Sequence, residues 1–142
     1  MSSNKNTRGN LNRTILIVED HDALRSSLQK WLGAVFPACT FLEAKDGEEA
    51  IFLVDERHPR IVIMDIKLPG VNGIEIVRQI KNAAPGICIV MLSMYDASEY
   101  RSASESAGAS AYVLKHKMYT DLVPVLKKLM RDQEDDALIP HK

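Results

Sequence analysis

Apolar residues along this chain follow two patterns, short continuous runs and longer stretches with helical spacing. Three runs consist almost entirely of apolar, mostly β-branched residues, which is typical of strands buried on both faces. These runs span 14–18, 61–64 and 87–92. Two shorter runs, over 39–44 and 111–114, are less apolar and complete a set of five predicted strands.

Between the runs, apolar residues recur every three or four positions, which predicts helices. The first helix carries a core-facing stripe of Leu24, Leu28, Trp31, Leu32 and Val35. Further helices are predicted after Asp46-Gly47, after a cap at Asn72, over 96–107 and over about 120–130. Five strands alternating with five helices predict an α/β fold, a doubly wound parallel sheet covered on both faces through right-handed crossovers.

Two of these predicted helices have unusual compositions. The helix over 96–107 consists largely of Ala and Ser and has Tyr100 as its only large apolar side chain. Because it buries little apolar surface, we expect it to be weakly anchored and able to move. The last helix contains Pro124, which should weaken or bend its first turns.

The length of 142 residues suits one domain, which we predict over 13–131. Residues 1–12 are polar and offer almost nothing to bury, so we expect a disordered N-terminal tail. Residues 132–142 include three consecutive acids and are expected to form a C-terminal tail or the start of a linker.

Composition excludes several functional classes. The net charge of -1 provides no general attraction for nucleic acid or anionic lipid, so this domain is not expected to bind DNA itself. No apolar run approaches the roughly 20 residues that span a bilayer, and no signal peptide is recognisable, so we expect a cytoplasmic protein without membrane contact. Cys39 and Cys88 lack metal or disulfide spacing and are expected to be buried free thiols in strands.

Four of the predicted strands end in residues that carry chemistry. They are Glu19 and Asp20 after the first strand, Asp65 after the third, Ser93 after the fourth and Lys115 after the fifth. Each type has an ordinary structural use, as a turn cap, a turn residue or a solvated charge. The carboxyl ends of parallel strands, however, meet at the edge of an open α/β sheet where ligands bind. This convergence favours a functional site.

The charges at this edge predict a bound cation. Two carboxylates about 4 Å apart repel by about 4 kcal/mol at an effective dielectric constant of about 20. Lys115 supplies one positive charge against three carboxylates, which leaves a place for a divalent ion, and an all-oxygen site suits Mg²⁺. Zinc is disfavoured because His21 has no partner Cys or His at a suitable spacing. A carboxylate, Mg²⁺, an ammonium and a hydroxyl are the parts needed to receive a phosphoryl group.

The sequence resembles the receiver domain of bacterial two-component response regulators from about Arg13 to Arg131. The resemblance is carried by Glu19-Asp20, by Met64-Asp65-Ile66-Lys67-Leu68-Pro69-Gly70 with Asn72-Gly73, by Ser93, and by Gly108-Ala109 leading to Tyr112 and Lys115. It implies a flavodoxin-like five-stranded parallel sheet with strand order 2-1-3-4-5. Receivers attached to helix-turn-helix transcription factors are the most similar, so we expect a stand-alone receiver or the front of a DNA-binding transcriptional regulator.

The resemblance implies a role for each acidic residue. Asp65 would be the phosphoacceptor, attacking the phosphohistidine of a sensor histidine kinase to form an acyl phosphate. Mg²⁺ would be bound by Asp20, by Asp65 and by the backbone carbonyl of Lys67. Glu19 would contact the ion directly or through water. Such a domain is not an enzyme in the usual sense, although it assists its own phosphorylation and dephosphorylation.

The resemblance also implies a switch. Lys115 would pair with Asp65 and then with the phosphoryl oxygens, and Ser93 would be drawn inward to hydrogen-bond the phosphoryl group. Tyr112 would change rotamer into the vacated space. These movements would alter the face formed by helix 4, strand 5 and helix 5, where partners or a second copy in a homodimer would bind. One departure is His116, where many receivers have proline.

Three other functions place different requirements on the sequence. A haloacid dehalogenase-type phosphohydrolase also uses an Asp at a strand end with Mg²⁺, but needs a second Asp where this chain has Lys67. A receiver-like interaction module that is never phosphorylated would not need the complete set of acids, hydroxyl and lysine. A nucleotide or flavin protein would need a Gly-rich loop, and none follows Val18.

Overall fold

The computed structural model describes residues 12–138, and side chains through residue 134. Its main sheet contains five strands: β1 (Thr14–Val18), β2 (Thr40–Ala44), β3 (Ile61–Asp65), β4 (Cys88–Ser93) and β5 (Ala111–Leu114). Five helices follow the strands in turn: α1 (Asp22–Val35), α2 (Gly47–Arg57), α3 (Gly73–Ala83), α4 (Ser98–Ala107) and α5 (Met118–Leu138). A two-residue antiparallel hairpin joins β3 to α3, and a short 3₁₀ turn joins β5 to α5.

The sheet has the strand order β2-β1-β3-β4-β5, and all of its neighbouring strands are parallel. This confirms the predicted flavodoxin-like fold with strand order 2-1-3-4-5. The order reverses direction between β1 and β3, because the chain first builds outward to β2 and then returns to the other side of β1. Ligands of open α/β folds bind beyond the carboxyl ends of the strands at such a point. The fold therefore places the ends of β1 and β3 side by side.

Alternate residues of β1 enter two separate cores. Ile15 and Ile17 pack in the cluster formed with α1 and α5, whereas Leu16 and Val18 pack in the cluster formed with α2, α3 and α4. The central strand β3 is buried along its whole length, and its four apolar residues are each at most 1% exposed. Burial of each such side chain contributes about 1.5–3 kcal/mol. This packing fixes β3 firmly and carries its last residue, Asp65, to the edge of the sheet.

Gly73 allows the start of α3 to approach the end of β3 closely. A Cβ atom at Gly73 would lie 2.3 Å from the backbone oxygen of Asp65 and 2.9 Å from the Cα of Ile66. The Gly73 amide donates a 2.7 Å hydrogen bond to the Ile66 carbonyl. Asn72 caps α3 as predicted, because its Oδ1 accepts a 2.7 Å hydrogen bond from the Ile74 amide. The backbone that follows Asp65 is thus held by a hydrogen bond from Gly73 and by the close approach of α3.

The end of α1 and both cysteines differ from the sequence prediction. Val35 is 38% exposed at the last position of α1, so the predicted core-facing stripe is wrong there, although Leu28 and Leu32 are buried. Cys39 precedes β2 instead of lying in it, and both Cys39 and Cys88 are only partly buried. Both thiols are free, as expected. Both cysteines pack against the core cluster from the amino edge of the sheet, where one side of each residue stays accessible, and periodicity does not reveal this.

The last helix is longer than predicted, because it begins at Met118, continues through Pro124 and extends to Leu138. Its later turns contact the amino edge of the sheet, where Gln133 Nε2 donates a 3.0 Å hydrogen bond to the Arg60 carbonyl. This contact gives a polar helical segment a partner that the sequence pattern did not show. Of the two predicted tails, 1–12 and 132–142, residues 1–11 and 139–142 lie outside the described residues, whereas residues 132–138 belong to α5.

Over residues 12–138, no helix combines the length and apolar character needed to cross a bilayer.

Replacing Gly73 with Ala is expected to lower the free energy of unfolding by about 1–3 kcal/mol, because the new methyl group meets backbone atoms that cannot move without shifting Asp65. Urea unfolding followed by circular dichroism measures the change. Gly86→Ala is the matched control, since a Cβ atom there meets nothing within 4 Å. Equal stability of the two variants would contradict the proposed close packing of α3 on β3.

Candidate functional site

An open cleft lies at the carboxyl edge of the sheet. Its lining includes residues from the ends of β1, β3, β4 and β5, which the topology brings together. The lining residues are Glu19, Asp20, His21, Asp65, Lys67, Met94, Tyr95 and Lys115. Four of the predicted acid and lysine positions therefore share one cleft with Lys67, as the sequence indicated.

The two buried acids of the cleft are held by backbone hydrogen bonds. Asp65 is only 6% exposed, and its Oδ1 accepts a 3.2 Å hydrogen bond from the amide of Lys67. Glu19 is 1% exposed, and its Oε2 accepts a 3.1 Å hydrogen bond from the amide of His21. Asp20, in contrast, is exposed. The carboxylates thus occupy fixed positions on a rigid sheet edge, with Asp20 on the solvent side.

Lys115 bridges the two buried acids. Its Nζ lies 3.2 Å from Asp65 Oδ2 and 3.0 Å from Glu19 Oε1. Glu19 Oε1 is buried, and the Lys115 ammonium is its charged neighbour among the described residues. One ammonium therefore serves two carboxylates.

These carboxylates fit a hard divalent cation. Glu19, Asp20 and Asp65 each offer one oxygen, and the three atoms lie within 4.8 Å of one another. Three carboxylates and one ammonium leave two negative charges, and Lys115 alone does not neutralise them. Oxygen ligands of this kind suit Mg²⁺ or Ca²⁺. Zinc remains disfavoured, because His21 Nδ1 accepts a 3.2 Å hydrogen bond from the Leu24 amide as the cap of α1.

The crowding of charge shifts the protonation of this site. The pKa of Asp65 is raised from 3.8 to about 6, mainly by burial and next by the charge of Glu19. Lys115 and the Lys67 amide lower it, but by less. Burial lowers the pKa of Lys115, but the charges of Asp65 and Glu19 outweigh it and leave that pKa above its ordinary value. The lysine therefore stays charged, while the Asp65 carboxylate is held at an energetic disadvantage.

Ser93 and Tyr112 meet at the loop that follows β4. Ser93 is fully buried, and its Oγ accepts a 2.9 Å hydrogen bond from the amide of Tyr95. The Tyr112 hydroxyl, on β5, donates a 2.6 Å hydrogen bond to the carbonyl of Tyr95. Neither Ser93 nor Tyr112 lines the cleft itself. Both predicted switch residues thus reach the site through Tyr95, which does line it.

Sequence reasoning missed two arginines near this site. Arg101 of α4 stacks on the Tyr112 ring at 4.6 Å and forms a 2.9 Å ion pair with Asp96. Arg25 of α1 contacts the loop that carries Glu19. Each contact joins separate elements, so spacing along the chain gave no signal for it.

Comparison with known families gives a match over most of the chain. The family described as response regulator receiver domain matches residues 15–127. This range begins at the second residue of β1 and ends within α5, so it includes the sheet apart from Thr14 and every residue of the cleft.

Curated relatives match at moderate identity. The transcriptional regulatory protein DegU of Brevibacillus brevis is 31% identical over 113 residues, which are 80% of this chain and 48% of that protein. The response regulator GacA of Pseudomonas aeruginosa is 27% identical over 119 residues, 84% of this chain and 56% of that protein. The chain thus spans about half the length of the curated relatives it matches.

Solved structures show the same fold. A CheY-like receiver domain protein from Methanospirillum hungatei JF-1 superposes with a TM-score of 0.81 at 28% identity, covering 89% of this chain and 99% of that one. The response regulator TrrA of Thermotoga maritima, determined in complex with Mg²⁺ and a beryllium fluoride, gives a TM-score of 0.74 at 31% identity, covering 82% and 98%.

Replacing Asp65 with Asn is expected to stabilise the protein at pH 8 without divalent ions by about 1–3 kcal/mol. The folded-state pKa of Asp65, about 6, lies above its ordinary value of 3.8. Between these values the folded state binds more protons, so stability falls as pH rises and the loss is complete above about pH 6. The gain from the variant should therefore be larger at pH 8 than at pH 5.

Urea unfolding in a chelator at both pH values measures this gain. Asp55→Asn on the exposed side of α2 is the matched control and should change stability by less than about 0.5 kcal/mol. A variant at Asp65 that is less stable than the native protein at pH 8 would show that the carboxylate is not strained.

Proposed function

Because the chain belongs to the family of response regulator receiver domains, we propose that it accepts a phosphoryl group on Asp65. The observation that carries this proposal is the environment of that one carboxylate. It ends the central buried strand, pairs with Lys115 through one oxygen and shares a cluster with two further acids. No structural purpose in the core requires such an arrangement, whereas phosphoryl transfer depends on positioned charges of this kind.

Mg²⁺ is the cation proposed for the acidic cluster. Glu19, Asp20 and Asp65 would hold it with the backbone carbonyl of Lys67, and the small number of protein ligands suits an ion that retains several waters. When bound, the ion would neutralise charge on the oxygens of the incoming phosphoryl group. The complex of TrrA with Mg²⁺ and a beryllium fluoride supports this choice.

The proposed donor is a phosphohistidine of a sensor histidine kinase. An Asp65 carboxylate oxygen attacks the phosphorus, the P–N bond breaks, and the electron pair leaves with the imidazole. The product is an acyl phosphate on Asp65. Lys115, which already contacts Asp65 Oδ2, would then hold a phosphoryl oxygen, and its raised pKa keeps it charged for that role. By positioning these groups the domain assists its own phosphorylation and dephosphorylation.

A switch through Tyr95 would carry the signal outward. The Ser93 hydroxyl accepts from the Tyr95 amide and can turn its own hydrogen toward a phosphoryl group. A shift of Ser93 would pull the loop that also binds the Tyr112 hydroxyl. The neighbouring α4 buries only Ser104 and Ala107, so little packing resists its movement.

The face formed by α4, β5 and α5 is the proposed docking surface for partners, including a second copy of the chain in a homodimer. Transcription is the proposed output, because relatives such as DegU are named as transcriptional regulators and are about twice as long as the matched region. The same proposal places the protein in the cytoplasm. It does not require this domain to touch DNA itself.

Incubation with Mg²⁺ and acetyl phosphate is expected to add the mass of one phosphoryl group to the intact protein. Asp65→Asn should abolish the addition because it removes the proposed acceptor, the carboxylate at the end of the central strand. Intact-mass spectrometry under mild conditions measures both. Asp20→Asn is a second variant that retains the acceptor but removes a metal ligand, and it should slow the reaction.

The same assay separates the alternatives. An unchanged native mass would favour an interaction module that is never phosphorylated. Continuous release of inorganic phosphate from a phosphate monoester, without a stable adduct, would favour a phosphohydrolase. The first result would overturn the assignment of Asp65 as a phosphoacceptor. The second would overturn the receiver role, because the phosphoryl group would be passed to water instead of being retained.

A further inference from the structure

Arg25 joins three elements around the loop that carries the first two acids. Its Nη1 donates a 2.7 Å hydrogen bond to the carbonyl of Glu19, which follows β1. Its Nε donates to Glu43 Oε1 of β2 at 3.1 Å, and its Nη2 donates to Asp22 Oδ1 of α1 at 2.7 Å. The side chain is only 16% exposed. Asp22 and Glu43 therefore fix the guanidinium, which in turn hydrogen-bonds the loop between β1 and α1.

The Glu19 carbonyl, which accepts the hydrogen bond from Arg25, belongs to the peptide unit that joins Glu19 to Asp20. A peptide unit is planar, so fixing its oxygen fixes the plane from which the Asp20 Cα departs. The Asp20 carboxylate makes no hydrogen bond or ion pair among the described residues, and Asp20 is exposed. Its place in the acidic cluster, within 4.8 Å of the Glu19 and Asp65 oxygens, therefore depends on the backbone beneath it.

We infer that Arg25 is a positioning residue for the cation site: it locks the Glu19–Asp20 peptide so that the Asp20 and Glu19 carboxylates converge with Asp65. This inference rests on the proposed function, because it assumes that Mg²⁺ binds the cluster. Arg25 itself would contact neither the ion nor the phosphoryl group. Its role is comparable to that of outer hydrogen-bonding groups that orient the ligands of a metal.

A purely electrostatic role for Arg25 predicts the opposite effect of its removal on the affinity for Mg²⁺. If the guanidinium acted only through its positive charge, its removal would make the site more negative and would strengthen binding of a cation. If it positions Asp20, its removal weakens binding even though the local charge becomes more favourable. The sign of the change in affinity therefore separates position from charge.

Arg25→Lys separates the two roles further, because it keeps the charge. A lysine ammonium cannot reproduce the planar fork that reaches acceptors on three elements at once. Because Arg25→Lys loses these hydrogen bonds but retains the charge, it is expected to raise the dissociation constant for Mg²⁺ about tenfold. Arg25→Gln is expected to raise it as well, against the electrostatic trend.

The experiment is a titration of the whole chain with MgCl₂, followed by amide chemical shifts in NMR spectra. The native protein is compared with Arg25→Lys and Arg25→Gln, all at a temperature where circular dichroism shows them folded. The matched controls are Arg78→Lys and Arg78→Gln on α3. Arg78 also forms an ion pair with an acid three residues away, Glu75, at 2.6 Å, but it is half exposed and lies outside the cleft.

Weaker Mg²⁺ binding in Arg25→Lys, with unchanged binding in both Arg78 variants, would support the positioning role. An unchanged or lower dissociation constant in Arg25→Lys would overturn it, and Arg25→Lys alone decides the matter if Arg25→Gln does not fold. A native protein that fails to bind Mg²⁺ would overturn the proposed function together with this inference. Native binding without an effect of Arg25→Lys would overturn only the inference.

Discussion

The packing of β3 places a carboxylate where an apolar protein interior would exclude it. Four nearly inaccessible apolar residues stabilise this strand, and Asp65 must follow them to the sheet edge. There it meets Glu19, also buried, and a single ammonium from Lys115. The free energy released by burying the strand therefore sustains a repulsive arrangement of charge that would not form by itself.

That repulsion explains the chemistry expected of the cleft. A buried carboxylate with an elevated pKa gains most from a group that brings positive charge close to it. A divalent cation would supply such charge. In the proposed function, cation binding and phosphorylation are two responses to this one electrostatic condition, and the hydrogen bonds of Ser93 and Tyr112 to Tyr95 would carry the change toward the surface.

The sequence was informative where local rules apply. Apolar runs, continuous in three strands and shorter in two, identified all five strands, and the acid that ends β3 indicated the site, because burial of a strand depends on neighbouring residues. The cap at Asn72 was predicted for the same reason. Convergence of the strand ends followed from the topology of parallel sheets and needed no side-chain detail.

Contacts between distant elements could not be predicted in this way. The reach of Arg25 to Glu43, the anchoring of Tyr95 by Tyr112 and the extension of α5 through Gln133 each depend on residues far apart along the chain. Periodicity also failed at Val35, because a helix end can leave the core while its apolar spacing continues. These are the contacts that adapt a common fold to an individual protein.

The strain on Asp65 and its response to a cation can be measured together by NMR titration of the side-chain carboxyl carbon, with the signal assigned by its loss in Asp65→Asn. Without divalent ions, a pKa of about 6 is expected, and saturating Mg²⁺ should lower it clearly. A pKa near the ordinary 3.8 that does not respond to Mg²⁺ would rule out both, because the carboxylate would then be neither strained nor part of a cation site.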